Sequence, residues 1–172
     1  IQTSLVGSEM CIRDSLSSDE KYFFITSSDH NTSEQYYFKA DEIIPKPKLI
    51  DKRKRGIIYS VNSWNGNFYK HTNEDAEDFK IEKTNDLEKK EWETFIPARE
   101  EVLIGGLIFL NDWIIRSETS NALSKLILRN PKNNYEEEIF FSDEKVIVPG
   151  VSLTQRNRTV SYTHLTLPTI LL

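Results

Sequence analysis

Tyr59-Ser60-Val61-Asn62-Ser63-Trp64-Asn65-Gly66-Asn67-Phe68-Tyr69-Lys70-His71-Thr72 is the stretch on which the fold turns. Two runs rich in β-branched and aromatic residues flank Asn65-Gly66, and both central residues tolerate positive φ. The reading is a tight antiparallel hairpin, with strands near Ile57 to Val61 and Asn67 to Thr72. The same alternation of Tyr, Phe, Ile, Val, Thr and Trp with Asn, Asp, Gly, Ser and Pro continues in both directions. It places strands near Tyr22 to Ser27, Glu34 to Lys39, Lys48 to Asp51, Phe79 to Lys83 and Trp92 to Ile96. Further strands fall near Val102 to Leu110, Trp113 to Glu118, Ser124 to Arg129, Glu137 to Phe141 and Val146 to Val148. Only Asp86 to Glu91 has helix-friendly composition, and it is short enough to be one surface turn.

The strands recur in groups. Phe23-Phe24-Ile25, Phe68-Tyr69-Lys70 and Ile114-Ile115-Arg116 align at a period of roughly 45 residues, which is blade arithmetic. Tyr36-Tyr37-Phe38, Phe79-Lys80-Ile81 and Leu126-Ile127-Leu128 follow in step, as do Lys48-Leu49-Ile50, Thr94-Phe95-Ile96 and Ile139-Phe140-Phe141. Ile57, Val102 and Val146 mark the start of successive inner strands. Four strands per repeat predicts an all-β fold, a partial β-propeller of about three antiparallel blades from a ring of about seven. A single blade cannot bury both faces alone, so blades recur until the ring closes. On this count the chain holds three strands of one blade, two whole blades and the first strand of another. A β-sandwich with coincidental spacing is the plainer alternative.

The two ends read differently. Met10-Cys11-Ile12-Arg13-Asp14 is an in-frame translation of AG-ATG-TGT-ATA-AGA-GAC-AG, and Val160-Ser161-Tyr162-Thr163-His164-Leu165 is a translation of its reverse complement. That string is a transposon end used in sequencing-library adaptors. Residues 1–15 and 159–172 are therefore expected to be adaptor-derived, to make few contacts with the rest, and to be left out of fold reasoning. Residues 16–158 are the expected native segment of a longer polypeptide. The only cysteine, Cys11, and the only methionine, Met10, fall outside it, so thiol chemistry is not a property of that segment. Removing Glu9, Arg13 and Asp14 from 22 basic and 27 acidic residues leaves a net charge of −4, which speaks against a nucleic-acid surface. The apolar tail Leu165 to Leu172 is too short to span a bilayer.

Each motif that could carry chemistry has a plainer reading. Gly150-Val151-Ser152-Leu153-Thr154 is half of a G-x-S-x-G nucleophile elbow, but the last position is Thr and the pattern around it is β-like. Lys52-Arg53-Lys54-Arg55 resembles a phosphate-binding or localisation cluster, and reads as a solvated loop between blades. Glu74-Asp75-Ala76-Glu77-Asp78 lacks the order of a calcium loop and reads as a hairpin turn. His30 and His71 fall on different blades with no ligand-spaced partner, so no zinc site is argued. Asn31-Thr32-Ser33 is formally a glycosylation acceptor. The expectation is no catalytic residue, no metal and no cofactor in this segment.

Specific stretches carry a family resemblance from Ser27 to Arg129. They are Thr32-Ser33-Glu34, Ala40-Asp41, Arg55-Gly56, Tyr59-Ser60-Val61, Phe68-Tyr69 with Thr72-Asn73, and above all Trp92-Glu93-Thr94-Phe95-Ile96-Pro97-Ala98-Arg99-Glu100-Glu101-Val102-Leu103. Asp112-Trp113, Ser117-Glu118 and the turn at Leu123 complete the set. In order and spacing these resemble the N-terminal propeller of the prolyl oligopeptidase family of serine peptidases, on its oligopeptidase B branch. Gly105-Gly106 departs from the family's acidic residue followed by Gly, and Ile58 stands where the family has an acidic residue. The resemblance implies a C-terminal α/β-hydrolase domain in the same polypeptide, carrying a Ser-Asp-His triad outside this chain. It implies short peptide substrates, cleavage after Lys or Arg (after Pro in the prolyl branch), and a cytoplasmic location. It leaves no role for nucleic acid or membrane. A protein-interaction propeller of the WD or kelch kind is the reading from another class. It lacks the Trp-Asp and Gly-Gly blade signatures. A sugar- or cofactor-binding propeller enzyme would need a polar cluster repeating across blades, and none is legible.

Overall fold

The computed structural model describes residues 11–139. They form three four-stranded antiparallel sheets in chain order, with no helix among the described residues. Sheet 1 is β1 (Cys11–Leu16), β2 (Tyr22–Ser28), β3 (Ser33–Lys39) and β4 (Lys48–Leu49). Sheet 2 is β5 (Tyr59–Trp64), β6 (Asn67–Thr72), β7 (Lys80–Thr84) and β8 (Glu93–Ile96). Sheet 3 is β9 (Leu103–Phe109), β10 (Ile114–Ser120), β11 (Leu123–Asn130) and β12 (Tyr135–Glu138). Each is an up-and-down meander whose neighbours in space are neighbours in sequence. Asp86 to Glu91 is turn, as its length suggested. The expected strand near Val146 lies outside the described residues.

The hairpin that opened the reading is present as expected. Asn65 has φ 50° and Gly66 φ 76°, so the two-residue turn takes the mirror-image form whose twist matches its strands. The β10–β11 hairpin uses the same geometry with Asn121 and Ala122, at φ 51° and 61°, and there no glycine relieves the second position.

Alternate residues on each strand face opposite neighbours. Phe24 on β2, Ile50, Tyr59 and Val61 on β5, Phe68 on β6 and Leu87 form one buried cluster between sheets 1 and 2. Trp64, Tyr69, Ile81, Ile96, Ile104 and Ile114 form a second between sheets 2 and 3. Sheet 2 is thus covered on both faces. Each of these side chains contributes about 1.5–3 kcal/mol of transfer free energy when fully buried. The aligned triplets superpose in orientation too. Phe24 and Tyr69, at the same place in two triplets, each face the following sheet, while Phe68 and Ile114 face the preceding one.

One expectation needs correction. Sheet 1 has four strands rather than three, because Cys11–Leu16 pairs with β2 along its whole length, from Cys11 opposite Ser28 to Leu16 opposite Phe23. Cys11 to Ser15 therefore do pair with the sheet along its edge. All six side chains of β1 are exposed, whereas the next residue, Ser17, is fully buried. A free sheet edge accepts any extended segment through its N–H and C=O groups, whatever the side chains. The expected strand near Val102 to Leu110 is β9, and its register shifts part-way along. Arg116 opposes Leu107 and Glu118 opposes Ile104, so Gly105 and Gly106 together face the single residue Ser117. This is a β-bulge, and it explains glycine there. A Cβ on Gly105 would meet Ser117 at 3.2 Å from its carbonyl oxygen and 3.3 Å from its Cβ, while one on Gly106 would meet nothing.

Gly105→Ala is expected to lower unfolding stability by about 1–3 kcal/mol through this crowding. Gly106→Ala should be near neutral. Ala122→Gly should raise stability by about 0.5–1 kcal/mol, since an L-residue in the left-handed region costs about 1–2 kcal/mol and glycine gives part of that back as unfolded-state entropy. Urea unfolding midpoints of the three variants check all of this.

Candidate functional surfaces at the blade seams

The first strand of each sheet has one edge with no strand beside it, and its buried peptide groups need partners. At the first seam, side chains of β3 supply them. Ser33 Oγ donates to the Tyr59 carbonyl at 2.9 Å and accepts from the Tyr59 N–H at 2.7 Å. Gln35 Nε2 donates to the Val61 carbonyl at 3.3 Å, and Gln35 Oε1 accepts from the Val61 N–H at 2.7 Å. Donor and acceptor of each residue are matched in turn, as a pairing strand would match them. The Asp19 N–H continues the row to the Ser63 carbonyl, while Ser18 and Asn62 exchange two further bonds at 3.0 Å. The Tyr59 hydroxyl closes the clamp, donating to the Asp51 carbonyl at 2.7 Å and accepting from the Gln35 N–H at 2.9 Å. Burial pushes that phenol up to about 12, so it stays a neutral donor.

The second seam repeats the device with other residues. His71 Nε2 lies 2.7 Å from the Ile104 carbonyl and must be the protonated ring nitrogen, because a carbonyl only accepts. The Ile104 N–H reaches the Asp78 carbonyl, and Trp64 Nε1 donates to the Leu110 carbonyl at 2.8 Å. The His71 ring stacks on Phe79 at 4.6 Å. Burial holds its pKa below the ordinary 6.5, partly opposed by the bond to Ile104.

Farther out, each seam buries a cation. Lys70 on β6 is 2.8 Å from Glu82, 3.7 Å from Asp51 of the preceding blade, and 4.5 Å above the Trp92 ring. Arg116 occupies the matching place on β10. It bonds Glu118 at 2.6 Å and Glu136 at 2.7 Å, Arg99 pairs with the same Glu118, and Arg129 pairs with Glu136 while lying over Phe95. Burial alone would raise the Glu82 carboxyl, yet Lys70 and Lys80 hold it below its usual range. Arg116 likewise holds Glu136 low. So a polar cluster does repeat across two blades. Its signal was the third place of the aligned triplets, Lys70 and Arg116, where a lone basic residue among apolar ones is easily passed over.

The motifs singled out earlier take structural places. Within Lys52 to Arg55, Arg53 is the organiser of the β2–β3 turn, bonding Asp29, Thr32 and Ser27 at 3.0 Å, and Lys54 pairs with Glu74. Asp29 itself caps that turn through the Asn31 and Thr32 N–H groups, with its pKa lowered by the backbone bond from Asn31 first. Glu74 to Asp78 is the β6–β7 turn, with Ala76 buried and Asp75 at φ 54°. Ser33 of the glycosylation triplet is buried and committed to Tyr59. His30 is exposed in the β2–β3 turn, apart from His71 at the second seam. Among the described residues, no group of three or more His, Cys, Asp or Glu side chains could hold a metal ion. No helix of the described residues is long and apolar enough to cross a membrane. Gly150 to Thr154 lies outside the described residues.

Stacked four-stranded meanders joined at their inner edges are the local architecture of a propeller, and the sequence comparison agrees. The family model of the prolyl oligopeptidase N-terminal β-propeller domain matches residues 9–172. The chain belongs to that family. Among curated proteins, Protease 2 of Moraxella lacunata is 31% identical over 104 residues, which cover 54% of this chain and 15% of that protein. Among solved structures, oligopeptidase B from Trypanosoma brucei with covalently bound antipain matches 78% of this chain and 21% of its own, with TM-score 0.70 and 19% identity. Prolyl oligopeptidase B from Galerina marginata matches 76% and 20%, with TM-score 0.64 and 17% identity. The chain thus spans a small part of each relative. The structural likenesses establish a shared fold.

Breaking the clamp and the cation separately should have different signatures. Gln35→Ala leaves the buried Val61 N–H and C=O unpaired and is expected to cost about 1–3 kcal/mol per group. Lys70→Ala removes one of the two lysines that pair with Glu82 and leaves Lys80 at 2.9 Å, so it should cost less than the about 3–5 kcal/mol of a fully stranded buried charge. For His71 the folded pKa lies below the unfolded one, so its contribution is full above about pH 6.5 and is lost as pH falls through the folded value, by at most about 1.4 kcal/mol per pH unit. His71→Gln, which keeps a donor for Ile104, should flatten that slope. Denaturant titrations at stepped pH measure each effect.

Proposed function

We propose that this propeller segment is the gate and scaffold of a serine-type oligopeptidase that cleaves short peptides after Lys or Arg. Family membership carries the reading, and the 31% identity to Protease 2 supports the basic-residue branch over the prolyl one. In this reading the hydrolase domain, with its nucleophile and base, is supplied by another part of the parent polypeptide. The propeller holds an opening of fixed width over it, so that short peptides enter and folded proteins do not. The clamped seams supply the rigidity such a filter requires. The parent acts in the cytoplasm, as the family resemblance implies. We further propose that residues 1–15 and 159–172 are adaptor-derived. The abrupt change from exposed side chains in β1 to fully buried Ser17 supports the first boundary.

The test is hydrolysis of matched reporter peptides ending in Arg, Lys or Pro, together with an unstructured and a folded protein substrate, by the parent polypeptide. Cleavage after Arg and Lys in short substrates alone is expected. Cleavage after Pro alone would transfer the protein to the other branch, and efficient cutting of the folded protein would remove the gating role. The 172-residue chain by itself should hydrolyse none of them and should be poorly soluble. An open arc exposes apolar blade faces, and the outer face of sheet 1 carries half-buried Phe23, Ile25, Tyr36 and Phe38. Turnover by that chain would require a nucleophile within it and would overturn the scaffold reading.

A further inference from the structure

Asn65 is the one asparagine of the sequence that is followed by glycine. It stands at the tip of the β5–β6 hairpin, and both turn residues are exposed. Among the described residues, the Asn65 carboxamide has no hydrogen-bond partner and neither has the Gly66 N–H, while the Asn65 carbonyl accepts from Asn67 Nδ2 at 3.3 Å. Asparagines nearby are tied down. Asn62 exchanges bonds with Ser18, and Asn73 holds the Ile58 N–H and the Gly56 carbonyl. Asn65 thus presents a free amide carbon to water, beside a peptide nitrogen that no Cβ shields.

We propose that Asn65 is a site of spontaneous succinimide formation, restrained by the folded turn, so that its modification records opening of the β5–β6 hairpin. The Gly66 nitrogen attacks Asn65 Cγ and gives its proton to water. Ammonia leaves with a proton from solvent as the new C–N bond closes a five-membered imide. Water then opens the imide. Addition at the side-chain carbonyl leaves an aspartyl residue, and addition at the main-chain carbonyl leaves isoaspartyl, whose chain runs through Cγ. The net change is water taken up and ammonia released. The turn opposes ring closure. At φ 50° Asn65 is in the left-handed region, where the next nitrogen lies nearly opposite Cβ across the Cα–C bond. The imide needs both on one side, so Asn65 reacts only after leaving the turn. Holding it there are the Trp64–Asn67 pair, the bond from Trp64 Nε1 to the Leu110 carbonyl, and Phe68 in the first cluster. Isoaspartyl adds a methylene to the main chain, so a two-residue connection no longer sets Ser63 opposite Phe68. Phe68 and Trp64 belong to different seams, so one event loosens both.

Peptide mapping tests this, with every sample dissolved in denaturant before digestion so that aggregated copies count equally. Trypsin releases residues 56–70 as one peptide, and fragmentation scores isoaspartyl at each asparagine. In the chain unfolded in guanidinium chloride, position 65 is expected to be modified ahead of every other asparagine. In the parent polypeptide under native conditions, at the same pH and temperature, it should react at least about tenfold more slowly, in proportion to the open fraction. Trp64→Phe should speed the native reaction about two- to tenfold, the effect of one lost hydrogen bond, and leave the denatured rate unchanged. Another asparagine leading in denaturant overturns the site. Equal native and denatured rates, or an unchanged native rate in Trp64→Phe, overturn the restraint by the turn.

Discussion

Everything in this arc of blades depends on how the free edge of an inner strand is satisfied. A four-stranded sheet leaves one edge of its first strand without a neighbour, and buried peptide groups there would each cost about 1–3 kcal/mol. At the first seam Ser33 and Gln35 act as a surrogate strand for Tyr59 and Val61, each returning one donor and one acceptor. At the second, His71, Trp64 and the Asp78 peptide do the same for β9. Blade order is thereby written in hydrogen bonds as well as in the apolar clusters between the sheets. A seam built this way resists sliding, since a shift by one residue would set donors against donors.

The buried cations sit at the outer part of the same seams and play a different part. Lys70 and Arg116 hold equivalent places, yet their partners differ. Lys70 reaches back to Asp51 and under Trp92, while Arg116 gathers Glu118 and Glu136 from its own sheet, with Arg99 from the connecting segment. Such groups add little net stability compared with apolar residues of the same volume, because desolvation offsets attraction. A blade stacked on the wrong neighbour would leave a charge buried without its partner. That penalty serves a domain whose proposed task is to keep an aperture of fixed size.

The two rims of the arc also differ in character. One carries the β2–β3 turn braced by Arg53 and Asp29, the acidic β6–β7 turn and the connections between blades. The other carries the β3–β4 loop, with Ile43 and Ile44 exposed, and a cavity lined by Tyr22, Tyr37 and Phe68. A meander of even strand number separates them, because chain entry and exit fall on one side and the remaining hairpins on the other.

The sequence by itself determined the strands, their grouping by four and the hairpin at Asn65-Gly66, because alternation and turn chemistry are local and each residue carries its own preference. It determined the family as well, through the stretch from Trp92 to Leu103. Only the tertiary structure decided that Cys11–Leu16 would complete sheet 1, since edge pairing is a backbone property that side chains do not announce. Only it showed that a side chain at Gly105 would crowd Ser117, because a bulge is defined by the strand opposite. The clamp and the ion clusters were illegible for the same reason. Gln35 lies 26 residues from Val61 and Arg116 lies 20 from Glu136, and a polar residue in a strand looks alike whether it faces water or a neighbouring blade. Periodicity reports which face a residue is on, and only packing reports what that face meets.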